Sequence, residues 1–444
     1  MYMALLILNV ANRMLKKTIL FAKKHLKNNL IQGTIIVTTA SLFSNFFAYL
    51  FQLLMGRALS VNEYGVLISL FSIQAIITLP MGVIANAITK IVSEVKEVNY
   101  PKGLSYFFYS IFRINFVISL LISLVFYLFR YYISRYLNIT NVELFKPFTL
   151  LLFVGLIFSF NTSFLQALKR YKALSADAFA RSFFKFVVAV LVFYFSFGLD
   201  KAFYLLSFFI LLAGIFGYGL LSKNIRFEYR KFNKSNLKRI VSFSLGSTFT
   251  FLGLSLIFNN DVLLVKHLFS PETAGYYSSA SVMGHIIFYG VSPIATVLFP
   301  VCAERYHQRK NYLEPLIKGI SIVGILSLIG FIAMYFFPSL VVNILFGAKY
   351  LNSIKYIPLY ALYMVFYSLV SVLGWLLVAI SKLKTGSFAF LAAVLQYLLI
   401  KFVFNNSVEQ VLYVSITVSF ILLIIFLVAI YYESIKLESN KVIR

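Results

Sequence analysis

Twelve stretches of about twenty mostly apolar residues follow one another along this chain, separated by little more than short basic connections. A helix rises 1.5 Å per residue, so about twenty residues cross a hydrocarbon layer of about 30 Å. The stretches fall at residues 31–54, 64–88, 104–128, 147–168, 179–197, 202–221, 240–265, 274–299, 315–337, 357–380, 386–404 and 411–430. Of the 444 residues, 61% are apolar and only 12% are charged, whereas a soluble domain carries about 25% charged residues. So few charges cannot dress a soluble surface, and lipid must be the main solvent. The fold class that follows is all-α integral membrane, with about twelve transmembrane helices. No connection is long enough to fold as a separate domain, and the longest lies near 223–239.

The net charge of +26 invites a nucleic-acid reading, in which Lys and Arg neutralise phosphates along a basic face. Placement argues against it. Thirty of the 40 Lys and Arg fall on the N-terminal segment, the even-numbered connections and the C-terminus, eight on the odd-numbered connections, and Arg113 and Lys401 within spans. The positive-inside rule then puts both termini in the cytoplasm, and the localisation expected is the cytoplasmic membrane. Residues 1–30 begin apolar and become basic only at Arg13, Lys16 and Lys17, the reverse of a signal peptide, and read as a cytoplasmic, interfacial segment. Cys302 is the only cysteine, so no intramolecular disulfide and no multi-cysteine metal site can form.

Laid against itself at an offset of 210 to 213 residues, the chain repeats. Ser60 and Gly65 match Ser270 and Gly275, Pro80 matches Pro293, and Ala167-Leu168-Lys169-Arg170-Tyr171-Lys172 matches Ala379-Ile380-Ser381-Lys382-Leu383-Lys384. Six spans in each half give both halves the same orientation, related by an axis along the membrane normal with a site at their interface. The expected organisation is an N-terminal segment (1–30), a six-helix bundle (31–222), a basic cytoplasmic linker (223–239), a second six-helix bundle (240–430) and a cytoplasmic tail (431–444).

Polar side chains are costly in a bilayer, so their positions mark candidate sites. In span one Thr34, Thr38, Ser41, Asn45 and Gln52 share a helical face. Span seven carries Gly246, Thr250, Gly253 and Asn260 with Asp261 beside them, and span eight carries Ser281, His285, Tyr289 and Ser292. For the small and hydroxyl residues, close helix packing competes evenly with a polar cavity. Asn45, Asn260 and Asp261 favour the cavity. Asp261 is the one acidic residue of fourteen inside a predicted span and the candidate for ion coupling, against an interfacial pairing with Lys266. Arg113 lies about 14 Å into span three; it can hold a phosphate through its guanidinium fork or pair with helix carbonyls or Asp261. Lys401 can snorkel to a span end, Lys185 is a weaker second cation, and His285 reads as a packing residue. No phosphate loop, no H-E-x-x-H and no cluster at metal-ligand spacing occurs, so the chain reads as neither ATPase nor metalloenzyme and needs no cofactor. The sequons at Asn138 and Asn405 carry little weight.

Two segments, Met55-Gly56-Arg57-Ala58-Leu59-Ser60-Val61-Asn62-Glu63-Tyr64-Gly65 and Asp261-Val262-Leu263-Leu264-Val265-Lys266-His267-Leu268-Phe269-Ser270-Pro271-Glu272-Thr273-Ala274-Gly275-Tyr276-Tyr277, resemble the hairpins of the polysaccharide or oligosaccharide flippases. That family belongs to the multidrug, oligosaccharidyl-lipid and polysaccharide exporter superfamily. The resemblance covers about residues 30 to 432, span count, orientation and repeat included, on hairpins of moderate specificity. It implies a V-shaped, alternating-access transporter that moves a polyprenyl-linked oligosaccharide from the cytoplasmic to the outer leaflet, and it is not an enzyme's pattern. By analogy Arg57, Asp261 and Lys266 match hairpin positions. The partners implied are a lipid-linked oligosaccharide, the bilayer and glycosyltransferases of the same pathway, with no nucleic acid. Arg113, Asn45, Gln52, Asn260 and Asp261 could meet the pyrophosphate and sugar hydroxyls of such a substrate. Related peptidoglycan-precursor flippases have fourteen helices and several cavity arginines, which puts a peptidoglycan role in doubt here. The alternatives are a cation-coupled multidrug exporter of the same superfamily and, from another class, a polytopic polysaccharide polymerase or glycosyltransferase, which usually exposes a sizeable loop with catalytic acids or arginines.

Overall fold

A computed structural model describes the backbone of residues 29–99, 102–222 and 234–442. The N-terminal segment up to residue 28 and residues 223–233 of the expected linker lie outside the described residues. So do the side chains of Thr34, Thr38 and Gly246.

The described residues form helices and no strands. In the first half these are α1 (Asn29–Ala58), α2 (Val61–Asn99), α3 (Lys102–Leu128), the short α4 (Arg130–Tyr136), α5 (Phe145–Ile157), α6 (Asn161–Ala167), α7 (Tyr171–Phe195) and α8 (Leu199–Ser222). The second half contains α9 (Lys234–Leu268), α10 (Pro271–His307), α11 (Leu313–Phe336), the short α12 (Pro338–Leu345), α13 (Ile357–Ala379), α14 (Leu383–Gly386), α15 (Phe388–Phe402) and α16 (Val408–Val442). Among the described residues ten helical stretches are long and apolar enough to cross a membrane. Spans one and eight correspond to α1 and α10, which are 30 and 37 residues long.

The repeat is visible in atomic detail. Ser60 and Glu63 cap α2 reciprocally, the Glu63 amide donating to Ser60 Oγ (3.3 Å) and the Ser60 amide to Glu63 Oε2 (3.1 Å). At the matching place Thr273 N donates to Ser270 Oγ (3.2 Å) to start α10. The third sequence match is a left-handed turn in both halves, with φ of 55° at Lys169 and 59° at Ser381. Each is closed by the next residue's amide, Arg170 to Leu165 and Lys382 to Leu377. Two six-span lobes therefore share one plan.

The lobes touch where the repeat-related hairpins meet. A Cβ on Gly65 would lie 3.0 Å from the Gly275 nitrogen, and one on Gly275 would lie 2.1 Å from the Val61 carbonyl oxygen. The matched glycines are thus each other's neighbours, as an axis between the lobes requires. Beyond this crossing α2 is buried from Tyr64 through Leu70 and α10 from Tyr277 through Gly284. Farther along, Pro80 and Gly82 on α2 and Tyr289 and Gly290 on α10 are exposed, and among the described residues nothing lies within 4 Å of a Cβ at Gly82 or Gly290. The two helices pack at one end and part at the other, which is the V. Pro293 removes the amide that would bond the Tyr289 carbonyl, and Ser292 Oγ donates to that oxygen instead (3.1 Å).

Three departures from the sequence reading have physical causes. Span four is broken at Phe158–Phe160 with neither proline nor glycine at the break. Side chains from neighbouring spans take up the freed carbonyls: Asn115 Nδ2 donates to Leu156 (2.9 Å) and Ile157 (2.8 Å), and Arg181 to Phe158 (3.2 Å). Span five begins at Tyr171 rather than 179, so Asp177 joins Arg181 within a membrane helix and Asp261 is not alone among the acids. The expected tail from 431 continues α16 to Val442, and Glu433 pairs with Lys382 at 2.7 Å.

Candidate functional site

The sequence-predicted site residues do not form one cluster; the structure distributes them over the interior of the second lobe, the seam between the lobes and exposed helix faces. Asn260 and Asp261 belong to the interior of the second lobe. There Tyr277 donates to Asp261 Oδ2 (2.6 Å), and Asp261 Oδ1 is buried without a hydrogen-bond partner among the described residues. Asn260 Nδ2 donates to the Ala393 carbonyl (3.1 Å) and lies 3.4 Å from Gln396 Oε1, while Gln396 donates to Ser415 Oγ (2.9 Å). Tyr360 lies against Tyr277, and Tyr363 against Tyr360. His285 Nε2 is 3.1 Å from the Tyr360 hydroxyl, and its ring stacks on Phe258 with centroids 4.1 Å apart, so it packs. The carboxylate of Asp261 therefore sits in a cage of tyrosines and is partnered by Tyr277 rather than Lys266 or Arg113.

Thr250 and Gly253 on the span-seven stripe face α14 and α15: a Cβ on Gly253 would lie 2.2 Å from the Phe390 nitrogen, and one on Gly386 would lie 2.5 Å from Thr250 Oγ1. Helix packing explains these two, leaving Asn260 as the stripe's polar reach into the lobe.

Arg57 and Lys266 lie at the seam. Arg57 donates through Nε to the Leu345 carbonyl (3.1 Å) and through its NH2 group to the Ile344 carbonyl, capping the C-terminal end of α12 in the opposite lobe. Lys349 answers from that lobe with bonds to the carbonyls of Arg57 (2.8 Å) and Leu59 (2.6 Å). Tyr350 donates to the Gly56 carbonyl (3.0 Å). Asn138 Nδ2 donates to the His267 carbonyl (2.9 Å), and His267 Nδ1 lies 2.7 Å from the Tyr136 carbonyl with the two rings stacked at 3.9 Å. Because a carbonyl accepts only, Nδ1 carries the proton there.

In span one Asn45 is exposed, Ser41 and Gln52 are half-buried, and Gln52 Oε1 is buried without a partner among the described residues. Arg113 is exposed on a face of α3 continued by Val117, Leu120, Leu124 and Leu128, all exposed, while Asn115, Ser119 and Ser123 fill the buried side.

Sequence reasoning missed the polar centre of the first lobe. Asp177 is fully buried, and Arg181 pairs with it through Nε to Oδ2 (3.0 Å) and through its NH2 group to Oδ1 (3.2 Å). A Cβ on Gly217 would lie 2.1 Å from Asp177 Oδ1, so only glycine leaves room for the carboxylate. Lys185 follows one turn after Arg181 on the same face, half-buried, and no carboxylate lies within ion-pair distance of it among the described residues. The spacing of Asp177, Arg181 and Lys185 was the available signal, hidden because Asp177 falls just before the span expected at 179–197. The first lobe thus presents a surplus cation, and the second a lone carboxylate.

Comparison with known proteins places this geometry. The chain matches the polysaccharide biosynthesis protein family over residues 54–355. It is 25% identical to an uncharacterized membrane protein of Methanocaldococcus jannaschii over 365 residues, covering 77% of this chain and 84% of that protein. Its fold is similar to the inward-facing conformation of a multidrug resistance MATE family transporter of the MOP superfamily (TM-score 0.74, 11% identity, 92% of this chain and 99% of that one). It is also similar to the lipid II flippase MurJ in an inward closed conformation (TM-score 0.72, 14% identity, 92% of this chain and 91% of that one).

Proposed function

The chain belongs to the polysaccharide biosynthesis protein family, and from that premise we propose that it carries a polyprenyl-(pyro)phosphate-linked oligosaccharide from the cytoplasmic to the outer leaflet by alternating access. The observation that carries this reading is the V: two like lobes clamped at their hairpins and parted beyond Pro80 and Tyr289. With both termini in the cytoplasm, as the charge distribution favours, the clamped end is outer and the cleft opens inward. A lipid-linked sugar fits such a cleft from the side, its prenyl tail staying in the bilayer between the lobes while the polar head enters.

The charges suit the two ends of the work. Lys185 and Arg113 supply cations for a phosphate, and Asn45 and Gln52 supply amides for sugar hydroxyls. Asp261, with one oxygen unpartnered, is the group proposed to couple transport to an ion. Lys185→Ala is expected to lower binding of a polyprenyl pyrophosphate by about tenfold, the weight of one charge-assisted contact. Lys185→Arg should retain most of it, and equal binding by Lys185→Ala would remove this residue from the site. Cells lacking the protein should accumulate the lipid-linked oligosaccharide on the inner leaflet and lose surface glycan. Unchanged surface glycan would reject the reading.

A cation-coupled drug exporter is favoured by one observation, the tyrosine-lined acid of the second lobe, which would suit an organic cation. Drug-dependent growth protection without any effect on surface glycan would select it.

A further inference from the structure

Lys266 is fully buried although it carries an ammonium group, and its place is the seam where the lobes meet. Among the described residues its ammonium makes one hydrogen bond, to Asn62 Oδ1 on the opposite lobe, at 3.4 Å. No carboxylate lies within ion-pair distance of it among the described residues. Glu63, the acid of the first turn of α2, is committed to the Ser60 cap. Asn62 itself is the second residue of α2, so the ammonium faces the positive end of that helix's dipole. A charge removed from water, held by one long bond to a neutral amide and set against a helix N-terminus is unfavourable wherever it occurs. Every other contact at this seam favours closure: the Gly65–Gly275 crossing, the Arg57 and Lys349 bonds to opposite-lobe carbonyls, and the His267–Tyr136 stack.

From these facts we infer that Lys266 is a gating residue that acts against the closed seam, so that the hairpin end opens without breaking a strong bond. Resting on the alternating-access reading, the inference adds a role that substrate contact does not require. Parting the lobes returns the ammonium to water and recovers the hydration that closure removes. The clamp and the lysine oppose one another, and their difference sets how often the closed end opens. The charge then faces the newly opened side.

The test uses the full chain in sealed vesicles with Ser69→Cys as reporter. Ser69 is buried one turn beyond Gly65 on the same face, its hydroxyl bonded to the Gly65 carbonyl at 2.7 Å, so the small change to cysteine is tolerated. Cys302, the native cysteine, is buried and distant in sequence. A charged, impermeant maleimide added from the hairpin side reaches position 69 only when the seam opens, and its rate follows the open population when opening is fast. Lys266→Met, which keeps the length and removes the charge, is expected to label at least about tenfold more slowly. Asn62→Asp, which gives the ammonium a counter-ion, should slow labelling in the same direction. Equal or faster labelling in Lys266→Met overturns the inference while leaving alternating access intact. If Ser69→Cys in the otherwise native chain never labels although the vesicles transport, no outward opening exists at this seam and both readings fall. If it labels as expected but no lipid-linked glycan crosses, the substrate proposal fails and the gating role stands.

Discussion

Gly275→Val is expected to prevent closure of the hairpin end and to lower transport by about a hundredfold or more, because the closed state of the cycle loses its crossing point. A Cβ at this position would lie 2.1 Å from the Val61 carbonyl oxygen, 2.5 Å from Val61 Cγ1 and 2.7 Å from its carbonyl carbon. Two of these atoms are backbone at the start of α2, so no rotamer change relieves the contact, and the helices must separate. Separation also loosens the bonds that Arg57, Lys349 and Tyr350 make across the seam. A reporter cysteine at Ser69 should then label fast, the opposite of Lys266→Met. Gly324→Ala is the matched control, since nothing lies within 4 Å of a Cβ there. Normal transport with slow labelling in Gly275→Val would show that the crossing is not a gate.

Asp177→Ala is expected to destabilise the first lobe by about 3–5 kcal/mol, the cost of leaving one partner of a buried pair unmatched in a low-dielectric interior. Asp177 is fully buried and Arg181 mostly so. The arginine also donates to the Phe158 carbonyl at the break in span four, so losing its anchor disturbs that break. Protein yield and thermal midpoint in detergent should fall sharply. Removing both charges, as Asp177→Ala with Arg181→Met, should recover part of the loss, because the worst state is the unpaired charge. A double variant as unstable as the single one would instead assign the loss to the carbonyl contact or to packing against Gly217.

Most of the architecture was legible in the sequence because its causes are local or repeated. Apolar length alone marks the spans, α1 and α10 among them. The offset matches were more informative than their number suggests: Gly65 and Gly275 touch, and Lys169 and Ser381 make the same left-handed turn. What stayed hidden has causes far away in sequence. Span four breaks because Asn115 and Arg181, on other helices, can satisfy its carbonyls, and no residue at the break announces it. Asp177 escaped notice because basic residues around it resemble a cytoplasmic connection, although its charge is cancelled within the helix by Arg181. Helical periodicity placed Asn260 and Asp261 on one side of span seven but could not say whether that side faces the cleft or the interior of its own lobe. Packing against Ala393 and Tyr277 decides for the interior. For Arg113 the same ambiguity is resolved as an exposed face shared with aliphatic residues. Its task as a phosphate contact stays a proposal alongside Lys185.

The most direct measurement reconstitutes the purified chain in liposomes that carry a polyprenyl-pyrophosphate-linked oligosaccharide in one leaflet, and follows its arrival in the other by an impermeant lectin or glycosidase. The account predicts protein-dependent transfer that Gly275→Val and Lys266→Met both reduce while the lipid-linked sugar still binds. Transfer equal to that of protein-free liposomes, from a chain shown to be folded and to open at Ser69, would contradict it.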